Sequence, residues 1–145
     1  MKQQLKIIQL IHGSFCTAVL IFGLVSLFIN KERLHFAIPK KTEDLVFVLV
    51  AILSVVFGNI LFKKLIGSID ETNPADQKVM QYQTAFLVKC AFFEAGALAN
   101  IIAFLMSANT FFLLFAGLCF IFLVMSRPTP DKVAESLRLQ GSDIL

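Results

Sequence analysis

Long apolar blocks alternate with short polar breaks along the chain, and four such blocks stand out. The first runs from about Leu5 to Ile29 and stops near Asn30. The second runs from about Asp44 to Gly67, the third from the polar stretch ADQKVMQ to Met106, and the fourth from about Thr110 to Ser126. A helix that crosses a bilayer needs about 20 mainly apolar residues, so all four are near spanning length, the fourth at the lower limit. The β-branched run LVFVLVAILSVV in the second block suits a strand by composition. Length decides for helix, because about 18 apolar residues exceed an ordinary strand.

This pattern predicts an all-α fold, an integral membrane four-helix bundle with antiparallel helices. They are expected over about 3–30, 43–67, 74–107 and 110–126, in one domain of residues 1–127, followed by a cytoplasmic tail at 128–145. Local signals mark the helix ends. Thr42 is placed to cap the second helix, with Asp44 near its positive end. Asn73, Pro74 and Asp76 form a good start for the third. The SANT link allows only a tight turn, so the third and fourth helices form a hairpin. In the tail, PTPDKVAESLRLQ reads as a short surface helix, with Thr129 as cap, Pro130 in first position and Gly141 as terminator. Its apolar face, Val133, Ala134 and Leu137, suits either the membrane surface or a solvated tail. The opening MKQQLK resembles the basic region of a signal peptide. The apolar stretch Gly13–Ile29 is longer than such peptides carry and no small-x-small site follows, so an uncleaved helix is expected. Phe15 directly before Cys16 argues against lipoprotein processing.

Composition sharpens this picture. Of 145 residues, 57% are hydrophobic and 16% charged, with a mean hydropathy of +0.80. A soluble domain carries about 25% charged residues, so a water-soluble globule is excluded. The net charge is +3, but the basic residues flank apolar blocks and form no aromatic-interleaved stripe, which leaves nucleic-acid binding unsupported. Sixteen Phe, one Tyr and no Trp suit lipid contact without the usual interfacial belt. Cys16, Cys90 and Cys119 all lie in apolar blocks and form neither a disulfide framework nor a zinc motif. No metal motif, nucleophile elbow or phosphate loop is present, and no cofactor is expected. With four spans both termini share a side. That side carries Lys2, Lys6, Lys63, Lys64, Lys78, Arg127, Lys132 and Arg138, against Lys31, Arg33, Lys40 and Lys41 opposite. By the positive-inside rule, both termini are expected on the cytoplasmic side.

Polar residues within the spans are the candidates for chemistry: Glu94, Lys89, His12, Asn59 and Asn100. Glu94 falls near mid-membrane, where an ionised acidic residue costs about 2.5–3.5 kcal/mol. A protonated carboxyl hydrogen-bonded to another helix is therefore expected. Lys89 is five residues away, about 140° around the helix, so the two form no ordinary i,i+4 pair. Lys89, Gly96, Ala99, Asn100, Ala103 and Ser107 share a small-residue face, while Glu94 lies with Gln83, Cys90, Ala97 and Ile101. Two partly polar faces place the third helix centrally. Matching depths brings His12 and Asn59 near Lys89, with Thr17 and Ser54 nearer Glu94. A cluster of His12, Asn59, Lys89 and Glu94 open to the cytoplasm is one reading, and plain interhelical hydrogen bonding is the other.

Function follows less directly. The first expectation is a non-enzymatic accessory or partner-binding protein, in contact with the lipid bilayer and with a second copy or another membrane protein. The alternative is a small transporter or proton-coupled protein using Glu94 and Lys89. A lipid-modifying enzyme would need a nucleophile and base at one depth, and no such pair is evident.

Two resemblances rest on motifs. The segment NPADQKVMQYQTAFLVKCAFFEAGALANIIAFL, with Gln83, Thr84 and Glu94, resembles the second half of the proteolipid c subunit of rotary ATP synthases over about a quarter of the chain. The glycine-repeat helix of that family is replaced here by LVFVLVAILSVVFGNILF, which has a single glycine. Over most of its length the chain resembles small four-span membrane proteins of Bacteroidetes-type bacteria. The shared features are Leu-Phe-Lys-Lys ending the second helix, Tyr82 and Ala85, the Lys89–Glu94 pair, and Arg127, Pro128, Thr129 and Lys132. That resemblance implies the four-span architecture and carries no activity.

Overall fold

The computed structural model describes residues 2–138. Five helices follow one another: α1 (Lys2–Asn30), α2 (Thr42–Gly67), α3 (Ala75–Ser107), α4 (Phe111–Met125) and α5 (Pro130–Leu137). Among the described residues there is no strand, only an isolated bridge between His35 and Asn109. The helices α1, α2 and α3 are each long and apolar enough to cross a membrane. The fourth, α4, has 15 residues, a rise of about 22 Å at ~1.5 Å per residue. It bends by 80° into α5.

The packing is that of a chain whose solvent is lipid. The stripe that α1 turns inward includes Ile8, His12, Val19, Ser26 and Asn30, with Leu5, Phe15 and Phe22 packed beside it. These positions recur every three or four residues, one face of a helix. Its outward face carries Leu10 and Phe28, 73% and 71% exposed. His12, Ser26 and Asn30 thus point in while Leu10 and Phe28 face out, because lipid tails are as apolar as leucine and helix association rests on fit and hydrogen bonds. On α2 the buried residues are small: Ala51, Ser54 and Gly58. They allow α3 to approach closely. A Cβ on Gly58 would lie 2.9 Å from the Phe93 ring, and one on Gly96 would lie 2.9 Å from both Cys119 Sγ and Ser54 Cβ.

The hub is α3. It packs most extensively on α2, then on α4 and α1, and also meets α5, whereas α1 and α2 share no substantial contact. Its buried set runs from Val79 to Phe104 and includes Tyr82, Phe86, Cys90, Phe93, Ala97 and Asn100.

Several helix ends differ from expectation. Lys41, not Thr42, holds the cap position of α2, with no side-chain bond, and Thr42 is the first helical residue. The first residue of α3 is Ala75, with Pro74 one step outside. Thr129 caps α5 as expected, its side chain accepting from Lys132 N at 3.3 Å. That helix ends at Leu137, with Arg138 left-handed at φ 50°, and Gly141 lies outside the described residues. The apolar face of α5 lies on neither lipid nor solvent. Val133, Ala134 and Leu137 are buried, and Val133 and Leu137 belong to the core cluster of the bundle. An eight-residue helix has too few internal bonds to persist alone, so docking supplies its stability. An exposed ion pair between Arg138 and Glu71 fastens its end to the α2–α3 loop.

Candidate functional site

The bundle has two unlike ends. At the first, the 31–41 loop crosses the α3–α4 turn and clasps it. His35 N donates to Ala108 O (3.2 Å), and Thr110 N donates to His35 O (2.9 Å). The Asn109 side chain accepts from Ala37 N (3.1 Å) and from Phe111 N (3.1 Å), and donates to Ala37 O (2.7 Å). Asn30, fully buried, donates to Phe104 O (3.3 Å) and Leu105 O (3.1 Å) and accepts from Arg33 Nη2 (2.7 Å). The last carbonyls of a helix lack internal partners; Asn30 serves Leu105 O of α3 and shares Phe104 O with Ala108 N. Ala108 sits at φ 57°, a conformation that costs a residue with a Cβ roughly 1–2 kcal/mol. The clasp holds it there.

The other end carries the N-terminus and α5, and it is open. A cavity of about 340 Å³ lies between α2, α3, α4 and α5, lined by Asn59, Phe62, Tyr82, Phe86, Lys89, Phe122, Met125, Ser126, Lys132, Glu135 and Ser136. Lys89 Nζ lies 4.8 Å from the centre of the Phe62 ring and 5.6 Å from that of Phe93. Tyr82 stacks on Phe86 at 6.1 Å and meets Phe62 edge-on at 5.8 Å, which completes an aromatic wall. Ring faces attract an ammonium by about 0.5–2 kcal/mol. Among the described residues no carboxylate forms an ion pair with Lys89. Lys132 Nζ donates to Met125 O (3.3 Å) and Arg127 O (3.4 Å), capping the end of α4.

Of the five residues expected to carry chemistry, the structure brings Asn59 and Lys89 into this one cavity. The four-residue cluster of His12, Asn59, Lys89 and Glu94, one of the two readings, does not form. His12 Nε2 lies 2.8 Å from Leu123 O. A carbonyl only accepts, so Nε2 bears the proton and the ring ties α1 to the last turn of α4. The ring also rests on Phe86 at 5.9 Å, so Phe86 touches both His12 and the cavity. Glu94 lies outside the cavity and is half-buried. Among the described residues it makes no hydrogen bond or ion pair, so the expected cross-helix bond is absent. The reason is azimuth: Ala91 and Ala95, on the same side of α3, are exposed, which puts Glu94 at the margin of the lipid-facing surface. Asn100 is fully buried and donates to Phe47 O and Gly96 O, both at 2.9 Å. It joins α3 to α2 while its Oδ1 has no partner.

Sequence reasoning missed Lys132, Glu135 and Ser136 as companions of Lys89. A signal existed, since they alternate with Val133, Ala134 and Leu137 on an amphipathic helix. The three cysteines are free, and among the described residues no group of His, Cys, Asp or Glu is arranged to hold a metal. No protein-family model, curated protein or solved structure matches the chain. Fold and site together define an all-helical bundle of membrane-spanning type with a cationic, aromatic-walled cavity at one end.

Proposed function

We propose that the chain is a multi-pass protein of a bacterial inner membrane, with both termini cytoplasmic, that works by binding rather than by catalysis, as an accessory or ligand-binding subunit. In this reading it has four spans and is related to the small four-span proteins it resembles. The eight-to-four bias of basic residues supports the orientation, and α4 completes the fourth crossing, its shortness met by local thinning of the bilayer. The observation that carries the reading is the cavity: a lysine with no ion-pair partner among the described residues, aromatic walls and a lid made from α5. Ligand sites are characteristically concave and apolar with a few convergent polar groups. The test is a photoreactive side chain at Ser136, compared with one at lipid-facing Leu20, in living cells. A discrete adduct at Ser136 alone is expected. Turnover of a lipid or small molecule by the purified protein would overturn the reading. Labelling of single cysteines in the 31–41 loop only from the cytoplasm would reverse the topology.

One observation favours a second reading, proton- or ion-coupled transport. Glu94 is half-buried within the longest span and has neither hydrogen bond nor ion pair among the described residues, which leaves it open to protonation. Flux in liposomes that Glu94→Gln abolishes would select this reading over binding alone.

A further inference from the structure

Resting on that reading of the cavity as a binding site, we propose that it takes the singly charged anionic headgroup of an amphiphile, a phosphate or carboxylate held between Lys89 and Lys132 with its apolar tail lying against α4. Charge is the first argument. Two lysines and one acid, Glu135, line the cavity, leaving one positive charge for a ligand to match. The bonds of Lys132 run to carbonyls and Lys89 has only ring faces beside it, so neither charge is neutralised within the described residues. Hydrogen-bonding capacity is the second. The Ser126 and Ser136 hydroxyls in the same lining donate to Phe122 O and Lys132 O, so the donors left for a tetrahedral or planar oxyanion are the ammonium N–H groups, three on each lysine.

Shape selects an amphiphile over a free ion. The cavity is at the small end of the roughly 300–1,000 Å³ range of ligand sites, large for one phosphate and small for a whole two-chain lipid. Two of its lining residues, Phe122 and Met125, are also exposed on the outer surface of α4, at 37% and 69%. The lining therefore grades from ammonium and hydroxyl groups to an apolar surface, and a ligand that fits must do the same. The docking of α5 has a purpose here, because it contributes Lys132, Glu135 and Ser136 to the lid.

Binding to purified protein in neutral detergent micelles tests this, with dioleoylphosphatidylglycerol, dioleoylphosphatidylcholine and inorganic phosphate as separate probes. Saturable binding of phosphatidylglycerol is expected, weakened at least tenfold in Lys89→Met and unchanged in Lys40→Gln, an exposed lysine of the loop at the opposite end. Lys132→Gln, at an exposed position, should weaken binding in the same direction and serves if Lys89→Met does not fold. Equal affinity for the two lipids, or equal loss in Lys40→Gln, would overturn the headgroup assignment. Inorganic phosphate binding as tightly as the lipid would overturn the amphiphile. The parent reading fails separately: a discrete Ser136 adduct without headgroup preference sinks only the anion, whereas no adduct and no binding sinks the cavity as a site.

Discussion

The two ends of the bundle treat polar groups in opposite ways. At the clasp, Asn30 and Asn109 each satisfy backbone groups of a neighbouring segment, with bonds of 2.7–3.3 Å. At the open end, Lys89 faces ring π-clouds across a cavity of about 340 Å³. The amides act at the C-terminal end of α3, whereas Lys89 stands well inside that helix. A fully partnered polar group rigidifies a fold, while one with vacant bonding capacity is costly there and available to something else. The contrast separates a structural end from a receptive one.

The largest expected effect would come from breaking the clasp. Asn109→Ala removes the bonds to Ala37 N, Ala37 O and Phe111 N; at about 1 kcal/mol each the loss is about 2–3 kcal/mol, or a fall of about 6–9 °C in the detergent unfolding midpoint. A change under about 1 °C would erase the difference between the ends. Lys89→Met should act with the opposite sign. It removes a half-buried charge that has no ion-pair partner among the described residues and forfeits about 0.5–2 kcal/mol of ring attraction, so the midpoint should rise, by less than it falls in Asn109→Ala. A fall in the midpoint would make Lys89 structural, like Asn109. Thr129→Ala deletes the cap of α5, worth about 0.5–1 kcal/mol. Hydrogen exchange should quicken in α5 and stay unchanged in the 31–41 loop, and a response at both ends would show them coupled.

The smallest effect concerns the exposed loop beside the open end. The backbone N–H and the hydroxyl of Thr72 both donate to Asp70 Oδ1, at 2.8 and 2.7 Å, and hold its carboxyl below the ordinary Asp value. A lowered value in the folded chain means that the turn's contribution is complete above the ordinary Asp range. It is lost as pH falls through the lowered value. Carbon-13 titration of Asp70 should show that low midpoint, and Thr72→Val should move it upward. A midpoint indifferent to Thr72 would break the account.

Helices were readable because apolar runs of spanning length have few alternative structures, and observed ends lie within a residue or two of expectation. Depth was readable too, since counting residues along a helix gives height, and so Asn59 and Lys89 were placed together. Azimuth was not. Glu94 could be assigned a level but not a neighbour, because which flank of α3 stays open depends on where α1 and α2 settle. The clasp was illegible for another reason. SANT reads as a turn, and nothing local says that Asn109 will grip a loop 72 residues earlier. The fate of α5 was equally hidden, since its apolar face fits a membrane surface and a bundle alike.

The lack of substantial contact between α1 and α2 bears on the order in which the protein is built. As the chain leaves the ribosome these two helices enter the bilayer first, and they enter as strangers. The small residues of α2 and Asn30 of α1 have no partner until α3 arrives, and His12 of α1 waits longer still, for Leu123 of α4. Assembly therefore waits on the third helix, and the early hairpin must stay separable in the lipid. A nascent chain stopped before Asn73 would hold two independent helices, and one extended past Ser107 would join them through α3 while His12 still lacked its partner on α4.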